Sequence, residues 1–407
     1  MTAHSDHGPV TLADIEEAAR LLDGVAIYTP MDGARWLSDL CGGEVRLKCE
    51  NLQRTGSFKM RGAYTRISRL SDEEKAAGVV AASAGNHAQG VALSAKLLGV
   101  KATVFMPDGA PIPKVNATMG YGAEVIFHGQ YLHHAMERAL EFAAETGAVL
   151  IHPYDHVDII TGQGTAGLEI LAQSPHVKTV LVPTGGGGLL SGIAIAIKAS
   201  RPDVRIVGVQ AKNAAAYPPS LAAGHPVRLD RMNTMADGIA VGVPGDLNFA
   251  TIRDLVDDVI TVTEESMARA LLAVAERAKY VVEPSGAAAV AALLDDPHGF
   301  ETPAVAVLSG GNVDPLLLGK VIQRGMAAAG RFHYLRVVIS DLPGGLAGLL
   351  TDISEAGASV IEVAHERISP HLNLNEVEVS LQLETRGPKH AAKLSEMLAE
   401  RGYRVNV

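Results

Sequence analysis

Short β-branched or apolar runs alternate with Ala- and Leu-rich stretches of helical period from about Glu44 to Leu308, and this alternation constrains the fold more than any other feature. A strand, a helix and a further strand in that order fold back with the strands parallel, so the region reads as repeated βαβ units around a parallel sheet. The expected strands are Gly78–Ala82, Ala102–Met106, Glu124–Phe127, Thr179–Pro183, Arg205–Gln210 and Ala304–Leu308. The expected helices are Ala88–Leu98, Tyr131–Glu145, Gly164–Gln173, Leu189–Ser200 and Ser266–Lys279. Doubly wound sheets of this kind place ligands at the carboxyl ends of their strands.

The pattern changes after Met326. Strand, helix, two strands, helix and strand follow at Tyr334–Ile339, Leu346–Ala356, Val360–Ile368, Glu376–Glu384, Lys389–Glu400 and Tyr403–Val407. That order is the ferredoxin-like βαββαβ unit. The division expected is therefore a first region 1–326, a linker 327–333, and a small domain 334–407.

Charge and composition remove several function classes. With 35 Lys+Arg against 45 Asp+Glu the net charge is −10, so the chain lacks the basic excess that tracks a phosphate backbone, and nucleic acid is not the expected partner. No apolar run is long enough to span a bilayer, and Met1 to Gly8 carries no basic start followed by an apolar core. Two cysteines, Cys41 and Cys49, cannot build a disulfide framework; they read as small hydrophobes in or near a Glu44–Lys48 strand. A cytoplasmic location is expected. The 42 glycines beside 4% aromatic residues point to close backbone approaches and many βα turns.

Four segments carry possible chemistry. In Thr55-Gly56-Ser57-Phe58-Lys59-Met60-Arg61-Gly62-Ala63, Lys59 is the one side-chain type that condenses reversibly with an aldehyde, once burial frees its neutral amine. Taken alone, such a lysine is more often a solvated surface charge. Ser83-Ala84-Gly85-Asn86-His87 follows a strand and opens a helix, where backbone N–H groups suit a carboxylate; an ordinary N-cap turn fits equally well. Thr184-Gly185-Gly186-Gly187-Gly188-Leu189 lies between strand and helix and reads as a phosphate cradle. It matches neither Gly-x-Gly-x-x-Gly nor a P-loop, since no lysine follows. Leu308-Ser309-Gly310-Gly311-Asn312 has a serine placed to meet a ring nitrogen, although locally it reads as a turn. His133 and His134 are adjacent and expected on different helix faces, and His365 and His371 lie near a strand connection. No metal site is expected.

In this order, Ser57 to Ala63, Ser83 to Gly90, Gly185 to Leu189, Glu283-Pro284-Ser285-Gly286-Ala287 and Ser309 to Asn312 closely resemble the threonine dehydratase (threonine ammonia-lyase) family of fold type II pyridoxal-phosphate enzymes, from about Leu12 to Arg324. The tail, with Asp341-Leu342-Pro343-Gly344-Gly345-Leu346, resembles an ACT domain, a small amino-acid-binding regulatory module. The resemblance implies an α/β, two-lobed, tryptophan synthase β-like catalytic region, with a smaller lobe of about 52–155 inserted in the larger one, followed by a ferredoxin-like ACT domain.

It also implies roles. Lys59, beside Phe58, would hold pyridoxal 5'-phosphate covalently and then act as the base at Cα. Gly185, Gly186, Gly187, Gly188 and Leu189 would hold its phosphate, Asn86 its ring hydroxyl and Ser309 its pyridine nitrogen. Ser83, Ala84, Gly85 and His87 would hold the substrate carboxylate. A serine at the ring nitrogen does not stabilise a protonated ring, which favours prompt loss of the β-hydroxyl over transamination. The implied reaction is dehydration and deamination of L-threonine, and of L-serine, to a 2-oxo acid and ammonia. With no side-chain acid evident, the cofactor phosphate is the expected proton donor to the leaving hydroxyl. An effector amino acid such as isoleucine or valine would bind at Leu342, Gly344 and Gly345, in a homodimer or homotetramer.

Two rivals remain. Serine racemases share these motifs, but the serine that serves them as second base stands at the position of Ala84, and the carboxylates of their divalent-ion site are replaced by Gln210, Ala214 and Ala216. An ACT-type sensor with weak catalysis is disfavoured by the intact Lys59, glycine loop and Ser309. Neither a biosynthetic role towards isoleucine nor a catabolic role is distinguished.

Overall fold

A strand covered on both faces needs an apolar or small residue at every position, and Val79–Ala82, Thr179–Pro183 and Ala304–Val307 meet that need with every residue buried. The computed structural model describes residues 9–367 and 372–406. It separates into two units between Leu318 and Gly319.

The first unit holds two sheets. The larger runs in the order Met31–Gly33, Val45–Lys48, Ala304–Val307, Thr179–Pro183, Arg205–Ala211 and Asp258–Val262, parallel except for its first pair. The smaller is fully parallel: Glu124–Phe127, Ala102–Met106, Val79–Ala82 and Val149–Leu150. Each sheet has its own apolar core, around Val104 and Ile67 in the smaller lobe and around Val180 and Ile193 in the larger.

Two expectations shift. The helix expected from Gly164 runs over Val157–Gln173, because its glycines serve helix contact rather than helix termination. A Cβ on Gly162 would lie 2.5 Å from Arg61 O, and one on Gly192 would lie 2.5 Å from Gly164 N. The helices Lys59–Ser68, Val157–Gln173 and Gly188–Ser200 therefore pack backbone to backbone, and part of the glycine content belongs to these crossings rather than to βα turns. The helix expected over Ser266–Lys279 is α-helical over Glu264–Ala273 and continues as a π-turn, Val274–Ala278, before Lys279 at φ 64. At the start of Leu132–Thr146 the rings of His133 and His134 lie 4.2 Å apart, with His133 stacked on Tyr131 and His134 tilted to it. Cys41 and Cys49 are free and buried, the first ending the helix Arg35–Cys41 and the second following Val45–Lys48.

The second unit is an antiparallel sheet ordered Ser359–Glu366, Glu376–Glu384, Phe332–Ser340 and Arg404–Asn406, with helices Gly345–Glu355 and Pro388–Glu400. This is the ferredoxin-like arrangement. Leu335, Val337 and Ile339 alternate into a core with Leu349, Ile353 and Leu394. The expected linker 327–333 narrows to a turn, since the helix Pro315–Ala328 enters it and the first strand begins at Phe332. Met1 to Gly8, Ile368, His371 and Val407 lie outside the described residues. Among the described residues no helix is long and apolar enough to cross a membrane.

Candidate active site

Four loops lie beyond the carboxyl ends of strands, after Lys48, Ala82, Pro183 and Val307, where the topology directs a ligand. The loop before Lys59 and the loop after Ala304–Val307 are tied together by a bridge between Ser57 and Gly310, by Phe58 N–H donating to Ser309 O at 3.2 Å and by Gly311 N–H donating to Gly56 O at 2.8 Å. Lys59 opens the helix Lys59–Ser68, and two residues on Arg61 anchors that helix. The Arg61 guanidinium, 1% exposed, bonds Glu50 at 2.8 Å and Glu169 at 2.7 Å, and Lys48 also reaches Glu169.

The Lys59 amine donates to Pro153 O at 2.7 Å and lies 5.2 Å from the Phe58 ring centre. Burial pulls it down to about 8, against the opposing pull of the Glu283 charge. His87 and His152 flank it, lowered to about 3 and about 4 by burial first and by the Lys59 charge second. Both imidazoles are thus neutral at pH 7. His87 Nε2 is engaged with Ile151 O at 2.7 Å, so what His87 can offer a ligand is its backbone N–H in the first turn of Asn86–Leu98. In the preceding turn Gly85 N–H donates to Ser83 Oγ at 3.1 Å.

Asn86 is held from both sides: its Nδ2 donates to Glu283 Oε1 at 2.7 Å and its Oδ1 accepts from Asn312 at 2.9 Å. Glu283, 2% exposed, is raised to about 7 by burial and by the Asp237 charge. It packs so closely that a Cβ on Gly310 would lie 2.5 Å from its Oε1.

The glycine loop leads into the helix Gly188–Ser200, whose first N–H groups lack intrahelical acceptors. Gly187 sits at φ 105, and a side chain there would collide with Tyr217 Oη, which itself donates to Gly186 O at 3.1 Å. The ring of Tyr154 covers Gly186, and its carbonyl accepts from Asn248 Nδ2 at 3.0 Å.

The structure thus brings Phe58, Lys59, Asn86, Gly185 to Leu189 and Ser309 into one region of the first unit. Leu342, Gly344 and Gly345 lie in the second, at the turn before Gly345–Glu355, where Gly344 has φ 95 and Leu342 is 66% exposed. Sequence reasoning missed the titrating carboxyl of Glu283, the supporting Asn312, Tyr154, Tyr217 and His152, and the pair Lys114–Asp237. Asn312 and Glu283 stood inside quoted motifs; the others have no local signal.

The family profile "Pyridoxal-phosphate dependent enzyme" matches residues 23–310. The L-threonine ammonia-lyase of Thermotoga maritima is 44% identical over 98% of this chain and 99% of its own. Maize serine racemase superposes with a TM-score of 0.74 at 38% identity, over 79% of this chain and 99% of its own. The processed form of threonine deaminase isoform 2 from Solanum lycopersicum gives a TM-score of 0.73 at 36% identity, over 78% of this chain and 95% of its own.

Proposed function

The chain belongs to the pyridoxal-phosphate-dependent enzymes, in the threonine ammonia-lyase family, and from that premise we propose that it dehydrates and deaminates L-threonine to 2-oxobutanoate and ammonia, with L-serine as a second substrate. The observation that carries this reading is the lowered Lys59 amine, set among neutral imidazoles near a side-chain-free cradle.

The residues present fit the cofactor. Gly186 and Gly187 let the loop pack directly on Tyr154 and Tyr217, which any Cβ there would strike, and the helix beyond it presents first-turn N–H groups without intrahelical acceptors, so Gly185, Gly186, Gly187, Gly188 and Leu189 suit a phosphate. Asn86 presents an oriented amide for the ring hydroxyl, Ser309 a hydroxyl for the ring nitrogen, and Phe58 borders Lys59. When bound, pyridoxal phosphate supplies an electron sink for the pair released at Cα.

The chain's own residues do the rest. Lys59 takes the proton from Cα, and burial lowers its proton affinity to about 8, so the neutral amine a base needs forms at far lower pH than in an ordinary lysine. Ser83, Ala84, Gly85 and the His87 backbone hold the α-carboxylate at a helix N-terminus. Water leaves across Cα–Cβ, and hydrolysis of the released enamine or imine returns one water and frees ammonia. Ala84 has no hydroxyl to protonate the opposite face, which supports elimination over the racemisation named for the maize relative.

We assign residues 1–326 to catalysis and 334–407 to regulation. The second unit's ferredoxin-like sheet and the Asp341–Leu346 turn support an ACT-type site for isoleucine or valine at Leu342, Gly344 and Gly345. Steady-state assays on L-threonine and L-serine, with and without isoleucine, valine and AMP, test both halves. Undiminished 2-oxo acid production by Lys59→Ala would sink the lyase reading, and unchanged effector response after removal of 332–407 would remove the regulatory one.

A further inference from the structure

A buried lysine without a task in the reaction above lies beside the Ser83–Gly85 turn. Lys114, in the helix Ile112–Gly120, is 7% exposed, and its Nζ meets Asp237 Oδ2 at 2.5 Å. The same Nζ stands 3.9 Å from the point a Cβ on Gly85 would occupy, nearer than any other atom outside the turn. Asp237 comes from a segment far along the chain, in the short 3₁₀ turn Asp237–Ile239, and its side chain is 53% exposed. The next residue, Gly238, packs on Ser285 and Glu283, so that a Cβ there would lie 2.5 Å from Ser285 Oγ. Glu283 feels both members of the pair, Asp237 raising it and Lys114 lowering it, and Glu283 in turn acts on Lys59. The ion pair therefore has its lysine against the proposed carboxylate turn and its aspartate next to Gly238, which packs on the carboxyl that acts on Lys59.

We propose that Lys114 is the charged receptor for the α-carboxylate of the amino-acid substrate, held by Asp237 until that carboxylate displaces it. The proposal rests on the reading of Ser83 to Gly85 as the carboxylate turn. A buried ammonium must stay paired, because an uncompensated charge out of water is strongly unfavourable. Asp237 satisfies that need in the free enzyme, and its half-exposed carboxylate can turn to water at little cost once a substrate carboxylate replaces it. The exchange keeps one anion on Lys114 throughout, so binding selects α-amino acids with a free carboxylate over their amides.

The test uses holoenzyme carrying Lys114→Met, Lys114→Arg or Asp237→Asn. Each is titrated calorimetrically with L-alanine, which has no leaving group on Cβ, and with L-alaninamide, and is assayed on L-threonine. Lys114→Met weakens L-alanine binding and raises KM roughly ten- to hundredfold, the range of a hydrogen bond to a charged group, with the smaller part of the loss in kcat. Its preference for L-alanine over the amide shrinks by a similar factor. Lys114→Arg keeps most of the affinity, and Asp237→Asn tightens L-alanine binding because the internal competitor is gone. If Lys114→Met and Asp237→Asn weaken binding alike, the pair is an interlobe clamp and the proposal is overturned. Parental L-alanine affinity in Lys114→Met overturns it as well. A parent enzyme that forms no 2-oxo acid from L-threonine or L-serine refutes the functional reading, while the alanine titration still decides the role of Lys114.

Discussion

Asn312 donates its side-chain N–H to Asn86 Oδ1 at 2.9 Å while also reaching Thr55 O at 2.6 Å, and this fixes which end of the Asn86 amide faces Glu283. An amide anchored at its oxygen can present only its nitrogen forward. The donor for a ring hydroxyl is thus set before any ligand arrives.

Removing that anchor has a measurable effect. Asn312→Ala should weaken pyridoxal phosphate binding about five- to tenfold, the equivalent of one hydrogen bond of ~1 kcal/mol and some lost orientation. A fluorescence titration of the apoenzyme reads it, and an unchanged dissociation constant would refute the positioning role.

The Lys59 amine should titrate far below an ordinary lysine. Burial favours the neutral form, so the rate of covalent cofactor capture by the apoenzyme should rise with pH and reach half its maximum near about 8. The Glu283 charge favours the ammonium, so Glu283→Gln should move that midpoint lower still. Absorbance stopped-flow across pH 6–10 checks the sign; a midpoint that rises in the variant contradicts it.

Gly187→Ala should abolish cofactor retention. Its φ of 105 strains any L side chain, and the new methyl would collide with Tyr217 Oη and crowd Asn248 Cβ. Adding Tyr217→Phe removes one collision and leaves the backbone strain, so the double variant should recover only a minority of the binding. Full recovery would show that crowding alone, and not conformation, required glycine.

Arg61→Ala should destabilise the first unit by about 3–5 kcal/mol, because Glu50 and Glu169 are left facing each other and Lys48 without the guanidinium between them. Thermal unfolding followed by circular dichroism measures this. A loss under ~1 kcal/mol would mean that water replaces the guanidinium in the network.

Much of the framework was legible before folding. Ala102–Met106, Glu124–Phe127, Thr179–Pro183 and Glu376–Glu384 fall at the expected positions because each is a short apolar or alternating run bounded by turn residues. Asp258–Val262 escaped because it is an edge strand with an exposed aspartate at its start, and its burial pattern is mixed. The helix Val157–Gln173 begins seven residues before the expected start at Gly164, with Gly162 and Gly164 inside it where packing against Arg61 and Gly192 requires them. Asn86, the glycines and Ser309 each stand just beyond a strand, whereas Lys59 lies past the turn Glu50–Leu52, and it is the resemblance of the ordered motifs to a family that gives all four their roles. Lys114 and Tyr154 could not be named, since nothing next to them in the chain announces a site.

The sequence by itself determined which groups capable of chemistry exist and in what order: an amine after Phe58, a small-residue turn before Asn86, four glycines before a helix. Only the tertiary structure decided their state. The proton held by Glu283 near pH 7, the lowered amine of Lys59, the neutral His152 and the Lys114–Asp237 pair all arise from segments far apart in the chain. Protonation and orientation depend on desolvation and on the nearest charges in space, and neither is encoded by a residue's neighbours in sequence.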